Sequence, residues 1–369
     1  MHTESKRCIY HYPGEIIASG IGSALRPYKM LEAFIQLGYE VDVVSGSSAE
    51  RKRIMKQIRR KICSGVKYDF LYAEDRNIPY ALSDDDHLPR HPFADISFFG
   101  FCKQAKIPVG VFYRDAHWRF PLFREVATRL KRFVLVLVYQ WELSQLHRNV
   151  NICFAPSEEM ASYIWGNGSI CELPPGCTIT EGKKRKPQNG RLDLLYVGNI
   201  ADQVHDIRKL CQAVKESQNV FLTICAPKES WVKEQTRYQQ VLCERIRCVH
   251  INGKELGRYF EQVDALACCL DENDYIEIAM PLKVFESIGY ATPVISTKRM
   301  AVSRVIEEEN WGWAVDCKVE TLKMLFEQLK SDPKQIMEKT QNAAKAALHH
   351  TWQCRAQLVA DELINWKKG

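Results

Sequence analysis

Met280-Pro-Leu-Lys-Val-Phe-Glu-Ser-Ile-Gly-Tyr-Ala-Thr-Pro-Val-Ile-Ser-Thr297 is the stretch on which the reading of this chain turns. Pro281 opens a helix whose first turn carries Lys283 and Glu286, Gly289 stands near its end, and residues 293–296 form a β-branched run of strand type. Backbone N–H groups at the helix start, with the positive end of its dipole, favour a phosphate there. Lys283 adds a full charge. Glu286 offers carboxylate oxygens to a vicinal diol such as a ribose, and a diphosphate beside a ribose means a nucleotide. The plainer alternative is an ordinary helix-to-strand passage in an α/β domain.

A chain of 369 residues exceeds one ordinary core and fits two domains. Apolar runs of strand length alternate with amphipathic segments throughout, the pattern of parallel α/β domains. In the first half, strands are expected near residues 7–10, 40–45, 68–73, 108–113 and 151–155, with a long helix over about 25–37 closed by Gly38. Residues 182–190 are rich in charge, Gly and Pro without periodicity, which predicts a linker. Strands resume at 192–197, ending at Gly198, and near 220–226, 246–251, 263–269 and 293–296. The expected organisation is a first domain over 1–180, a linker over 181–190 and a second domain over 191–351, with a helix of about 352–369 packing back on the first. Two such halves predict an interdomain cleft with ligands at the carboxyl ends of the strands.

Hydrophobic content of 46% and charged content of 26% are those of a soluble globular protein. No apolar run reaches membrane-spanning length and none of signal-peptide type precedes Cys8, so a cytoplasmic location is expected. The 14 cysteines are scattered, several within apolar strands (Cys153, Cys225, Cys268, Cys269), and none forms a Cys-x-x-Cys pair. They read as reduced and mostly buried. The net charge of +6 is unevenly spread: Arg51, Lys52, Arg53, Lys56, Arg59, Arg60 and Lys61 share one segment with Ile54, Met55, Ile58 and Ile62 at helical spacing. This basic amphipathic helix over residues 51–62 is either a solvated face or a contact with anionic membrane at the inner face of the plasma membrane. Arg129, Lys131 and Arg132 precede a second apolar run, residues 133–141, too short to span a bilayer and readable as membrane contact or as a buried helix. No nucleic-acid partner is expected, because aromatics are not interleaved with the cations as stacking platforms require.

Several of these segments together resemble the glycosyltransferase family four group and its bacterial polysaccharide-biosynthesis relatives. The residues that carry the likeness are the Gly20 and Gly22 loop before a long helix, Ala155-Pro-Ser157, Leu173-Pro-Pro-Gly176, Tyr196-Val-Gly-Asn199, the segment from Met280 to Thr297, and Thr351-Trp352. The resemblance implies a GT-B fold, α/β with two Rossmann-like domains facing each other across a cleft. It implies a nucleotide-diphosphate sugar donor held by Lys283, Glu286, Pro281, Leu282, Gly198, Asn199 and Tyr275, with Gly20 and Gly22 facing the same ligand. There are departures. Relatives often carry a second glutamate eight residues before the Glu286 position, where this chain has Ile278 with Glu277 one place off, and the Arg and Lys pair usual after the second-domain glycine is missing.

Glycosyl transfer requires a neutralised diphosphate leaving group, a stabilised oxocarbenium-like transition state and a base for the acceptor hydroxyl. With no cofactor and no metal expected, Lys283 takes the first role. Asp84-Asp85-Asp86-His87 sits in a Pro-rich loop with His91 and reads as solvated or helix-capping in preference to metal-binding. His87 and His91 are candidates for the acceptor side. Proton transfer falls to Phe112-Tyr-Arg-Asp-Ala-His-Trp118: Asp115 or His117 as base, Arg114 locking the pair, or alternatively a buried salt-bridged turn under Trp118. The leading expectation is a metal-independent transferase moving a sugar to a polysaccharide or lipid-linked glycan. A nucleotide-sugar epimerase of the same architecture and a catalytically silent nucleotide-binding subunit are the alternatives.

Overall fold

The computed structural model describes residues 6–18, 24–125, 128–166, 168–182, 185–200, 204–251 and 253–368. In chain order the first elements are β1 (Arg7–His11), α1 (Leu25–Gln36), β2 (Glu40–Val44), α2 (Ser48–Cys63), β3 (Phe70–Glu74), α3 (Ala94–Gln104), β4 (Val109–Phe112), α4 (Arg129–Asn149), β5 (Ile152–Ala155), α5 (Glu158–Ile164) and β6 (Ile170–Glu172). They are followed by β7 (Leu192–Val197), α6 (Arg208–Glu216), β8 (Val220–Cys225), α7 (Lys228–Tyr238), β9 (Ile246–Val249), α8 (Gly253–Gln262), β10 (Ala265–Cys268), α9 (Asp274–Glu277) and α10 (Leu282–Ile288). The last are β11 (Val294–Thr297), α11 (Ala301–Glu308), β12 (Gly312–Val315), α12 (Val319–Ser331), α13 (Pro333–Ala347) and α14 (Trp352–Lys368).

The chain divides into two compact units, one running through Pro174 and resuming at Trp352, the other spanning Pro175–Thr351. Unit 1 holds a six-stranded sheet in the order β2-β1-β3-β4-β5-β6, and unit 2 one in the order β12-β11-β10-β7-β8-β9. Every strand pair is parallel. Parallel sheets are covered on both faces, which is why β3, β4, β5, β10 and β11 are buried along their whole length. The strand order reverses between β1 and β3 in unit 1 and between β7 and β10 in unit 2, and at such points a crevice opens beyond the carboxyl ends of the strands.

The chain enters unit 2 at Pro175, earlier than residue 180, because the Cys177 N–H donates to His350 O at 2.7 Å and the Thr180 N–H to Gly289 O at 3.0 Å. Within the expected linker, Arg185 reaches Asp193 at 2.7 Å and Asp264 at 3.0 Å, both in unit 2. α14 packs on α1, β3 and β4 in unit 1, burying Trp352, Ala356, Val359, Ala360 and Leu363. Gly110 on β4 makes the room, since a Cβ there would stand 3.0 Å from a Leu363 methyl and 2.6 Å from the Phe154 ring.

Candidate active site

In unit 2 the loops after β7 and β10 leave the sheet at its switch point, and α10 follows β10. Pro281 precedes α10 with φ −67° and ψ 131°, and its carbonyl accepts the Val284 N–H at 3.1 Å. Val284, Phe285 and Ile288 face the core, and this registration turns Lys283 and Glu286, one helical turn apart, to the outside. Lys283 Nζ donates to Glu286 Oε2 at 2.6 Å, with the side chains 22% and 26% exposed. A cation and a carboxylate thus stand side by side, accessible yet held. Leu282 is half-buried in the first turn. Gly289 is required for a reason the sequence does not show: a Cβ there would lie 2.3 Å from the carbonyl oxygen of Thr178.

Gly198 continues the β7–β8 ladder through its N–H to Cys225 O at 3.1 Å, and Tyr196 Oη donates to Asn199 O at 2.6 Å. Asn199 Oδ1 accepts the Ile200 N–H at 2.9 Å, fixing the turn after the strand. Tyr275 is half-buried on α9, its N–H held at 3.0 Å by the Asn273 side chain that caps that helix. Sequence reading took Cys225 only as a buried thiol and passed over Tyr290; both neighbour the pair. Burial pushes the Cys225 thiol up, within the fields of Lys283 and Glu286. Tyr290, stacked on Phe260 at 5.1 Å, is also pushed up by burial, then by Glu286 and Glu261. Ile278 is buried, and Glu277 pairs with Arg299. The Gly20 and Gly22 loop lies outside the described residues.

Unit 1 gathers charge at the carboxyl ends of β3 and β4. Glu74, fully buried, lies 3.3 Å from Arg26 of α1 and 3.6 Å from Arg114, and its Oε1 accepts from Tyr72 Oη at 3.1 Å. Arg26 lies over the Phe112 ring at 3.5 Å. The Arg114 N–H donates to Asp75 Oδ1 at 2.7 Å, and burial pushes the Asp75 carboxyl well up against the pull of Arg114. Asp115 Oδ1 accepts the His117 N–H at 2.9 Å and Oδ2 accepts from Asn77 Nδ2 at 3.2 Å. His117 Nδ1 is 3.7 Å from Asp115 Oδ2, both side chains about one-seventh exposed at 15% and 14%. Burial lowers the His117 pKa in spite of Asp115, favouring a neutral imidazole able to accept a proton. Trp118 stacks on Tyr139 at 5.2 Å and donates from Nε1 to Tyr113 Oη at 3.0 Å, forming the floor of the turn.

Elsewhere, Asp84 caps α2 by accepting the Ser48 N–H at 2.6 Å, and Asp86 pairs with Arg90 at 2.5 Å. His87 is exposed with φ 57°, its Nδ1 3.1 Å from Leu82 O, and His91 Nδ1 lies 3.5 Å from Lys52 Nζ. In α2, Met55 and Ile58 point into the core, and Arg51 is fully buried, bound to Asp95 through Nε and Nη2 at 2.9 Å. The cations left exposed are Lys52, Arg53, Lys56, Arg60 and Lys61. No helix among the described residues is long and apolar enough to cross a membrane.

Two parallel α/β units, each with a switch point in its strand order, are the GT-B architecture, and solved structures share it along nearly the whole chain. A sucrose-phosphate synthase from Thermosynechococcus elongatus is 14% identical, with 97% of this chain and 98% of that one covered and a TM-score of 0.66. HepE from Anabaena, solved with UDP-glucose, is 13% identical, with 97% and 99% covered and a TM-score of 0.63. An α,α-trehalose 6-phosphate synthase from Burkholderia multivorans is 10% identical, with 98% of each chain covered and a TM-score of 0.60. Likeness at such identities establishes the fold. Residues 191–332, within unit 2, match the family model described as glycosyl transferases group 1. Unit 2 thus carries a group 1 glycosyltransferase domain, and the chain is an enzyme of the glycosyltransferase class. No curated protein matches the sequence.

Proposed function

We propose that this enzyme transfers a sugar from a nucleotide-diphosphate sugar to a hydroxyl of a glycan or lipid-linked glycan, without a metal. The observation that carries the donor assignment is the Lys283–Glu286 pair, 2.6 Å apart beyond the switch point of a domain matched to group 1 glycosyltransferases. On binding, the two would exchange each other for ligand: Lys283 neutralises the diphosphate as the glycosidic bond breaks, and Glu286 accepts from the ribose hydroxyls. HepE, of the same fold, is a structure holding UDP-glucose, which supports a uridine nucleotide as the first donor to try. Acceptor deprotonation is assigned to Asp115 and His117 in unit 1, with Arg114 as a positioning residue. His87 and His91 are assigned to the acceptor side.

A cytoplasmic enzyme acting on a lipid-linked acceptor would work at an anionic membrane surface. The exposed cations of α2 support the electrostatic part of that assignment, although its apolar face is packed inward. Calorimetric titration with UDP-, GDP-, ADP- and CMP-sugars tests the donor site. Glu286→Gln is expected to weaken nucleotide binding by about 1–3 kcal/mol with the fold intact, and Lys283→Ala to weaken it as well. Unchanged affinity in both variants would remove the site from unit 2's switch point.

A further inference from the structure

The sequence leaves α4 open to two readings, and the structure exposes what a buried helix would hide. Leu130, Phe133, Val134 and Leu137 are 75%, 63%, 51% and 49% exposed, at the i, i+3, i+4, i+7 spacing that lines one helix face. Trp141 continues the row and meets Phe93, itself 65% exposed, at 5.6 Å between ring centroids. The helix is anchored by other residues, with Tyr139, Leu143 and Leu146 buried. Single exposed apolar side chains are ordinary on a protein surface; a contiguous row of large ones marks an interaction surface.

Charge indicates what covers it. Arg129 and Lys131 stand exposed at one end of the row. At the other, Phe93 follows His91, which lies 3.5 Å from Lys52, the first of the exposed cations of α2. α3 packs against both α2 and α4, and Arg59 of α2 donates to Ser97 O of α3 at 2.9 Å. The carboxylates along this border are engaged within the chain, Glu50 by Ser47, Asp84 by Ser48 and Asp86 by Arg90, while Asp85 is exposed. Apolar side chains bordered by cations match a bilayer carrying anionic headgroups: the row enters the boundary between headgroups and acyl chains while lysine and arginine meet phosphates. We propose that the exposed face of α4, together with Phe93, docks on an anionic membrane surface. The inference rests on the lipid-linked acceptor for its purpose; the docking itself does not depend on the donor.

The test is co-sedimentation of the full chain with phosphatidylcholine vesicles containing or lacking phosphatidylglycerol, alongside thermal-shift measurements with UDP-glucose. Binding to the anionic vesicles, weakened by salt, is expected. Phe133→Ser with Leu137→Ser should lower partitioning more than about tenfold, and Arg129→Gln with Lys131→Gln roughly fivefold per cation, on anionic vesicles only. Met324→Ser, at an apolar residue 74% exposed in unit 2, should change nothing. A parent that ignores anionic vesicles, or α4 variants that bind as the parent does, would overturn the docking. So would α4 variants that convert a dimer to a monomer in sedimentation equilibrium, since a second copy would then be what covers the row. Vesicle binding without any nucleotide-sugar response would sustain the docking and overturn the donor assignment, so the two failures are distinct.

Discussion

Asp115 has a backbone duty beside the chemistry proposed for it. Its Oδ1 holds the His117 N–H at 2.9 Å, so replacement by alanine would release the turn as well as the carboxylate. Asp115→Asn keeps the Oδ1 acceptor, and Asn77 can meet the new amide by turning its own. Donor affinity is expected to stay at the parent value while transfer falls by roughly 10²–10⁴, the usual share of general acid–base catalysis. Undiminished transfer by this folded, donor-binding variant would leave Asp115 structural and pass the base to His117. The residue pairs differ in how readable they were. Lys283 and Glu286 are three positions apart, so helical spacing alone brings them together. Asp75 and Arg114 lie 39 positions apart, and Glu142 and Tyr80 62. Contacts made by the sheet leave no trace in spacing, which is why Glu74, Asp75 and Asn77 went unread.

Elements were legible to the extent that they carry apolar strand formers. Of the ten expected strands eight lie inside the sheets as largely apolar runs, and the edge strands β2 and β9 still show Val41, Val43 and Val44 and Ile246, Cys248 and Val249. β6 and β12 were not foreseen: β6 has only three residues, and the four of β12 open on Gly312 and include Ala314, both poor strand formers. Helical periodicity showed the basic row of α2, yet could not show that Arg51 turns inward to Asp95. The apolar run of α4 likewise gave no hint of which face would be left exposed. At α10, element geometry and site chemistry meet in Gly289. Gly289→Ala drives a methyl into the Thr178 carbonyl, a backbone atom with no rotamer to escape by. Overpacking of this kind is expected to cost about 1–3 kcal/mol, read as a lower urea midpoint. Donor affinity should fall with it, as α10 carries Lys283 and Glu286. A variant with both values unchanged would mean that the segment before β7 yields freely.

Over the whole molecule, titratable burial is uneven. Among the described residues, the carboxyls that burial pushes well up are Asp75 and Glu142, both in unit 1. Such groups retain in the fold a proton that the unfolded chain gives up near pH 4, at about 3.9 for Asp and 4.3 for Glu. The stability they contribute is therefore whole below that pH and is lost as pH rises toward their folded values. Asp95, held down by Arg51 and His11, runs the other way and loses its contribution in acid. Glu142→Gln imitates the protonated side chain and keeps a carbonyl for the Tyr80 N–H. Urea midpoints of variant and parent should agree below about pH 4, where Glu142 is protonated in the unfolded chain as well, and separate by about pH 8, the variant being the more stable. Equal midpoints at both would mean that the carboxylate is ionised in the fold. The return of α14 to unit 1 also bears on synthesis. Unit 2 is one uninterrupted stretch, Pro175–Thr351, whereas unit 1 is in two pieces. A ribosome making this chain therefore delivers the whole of the later domain before it delivers the helix that covers α1, so the half that begins first is the half that closes last.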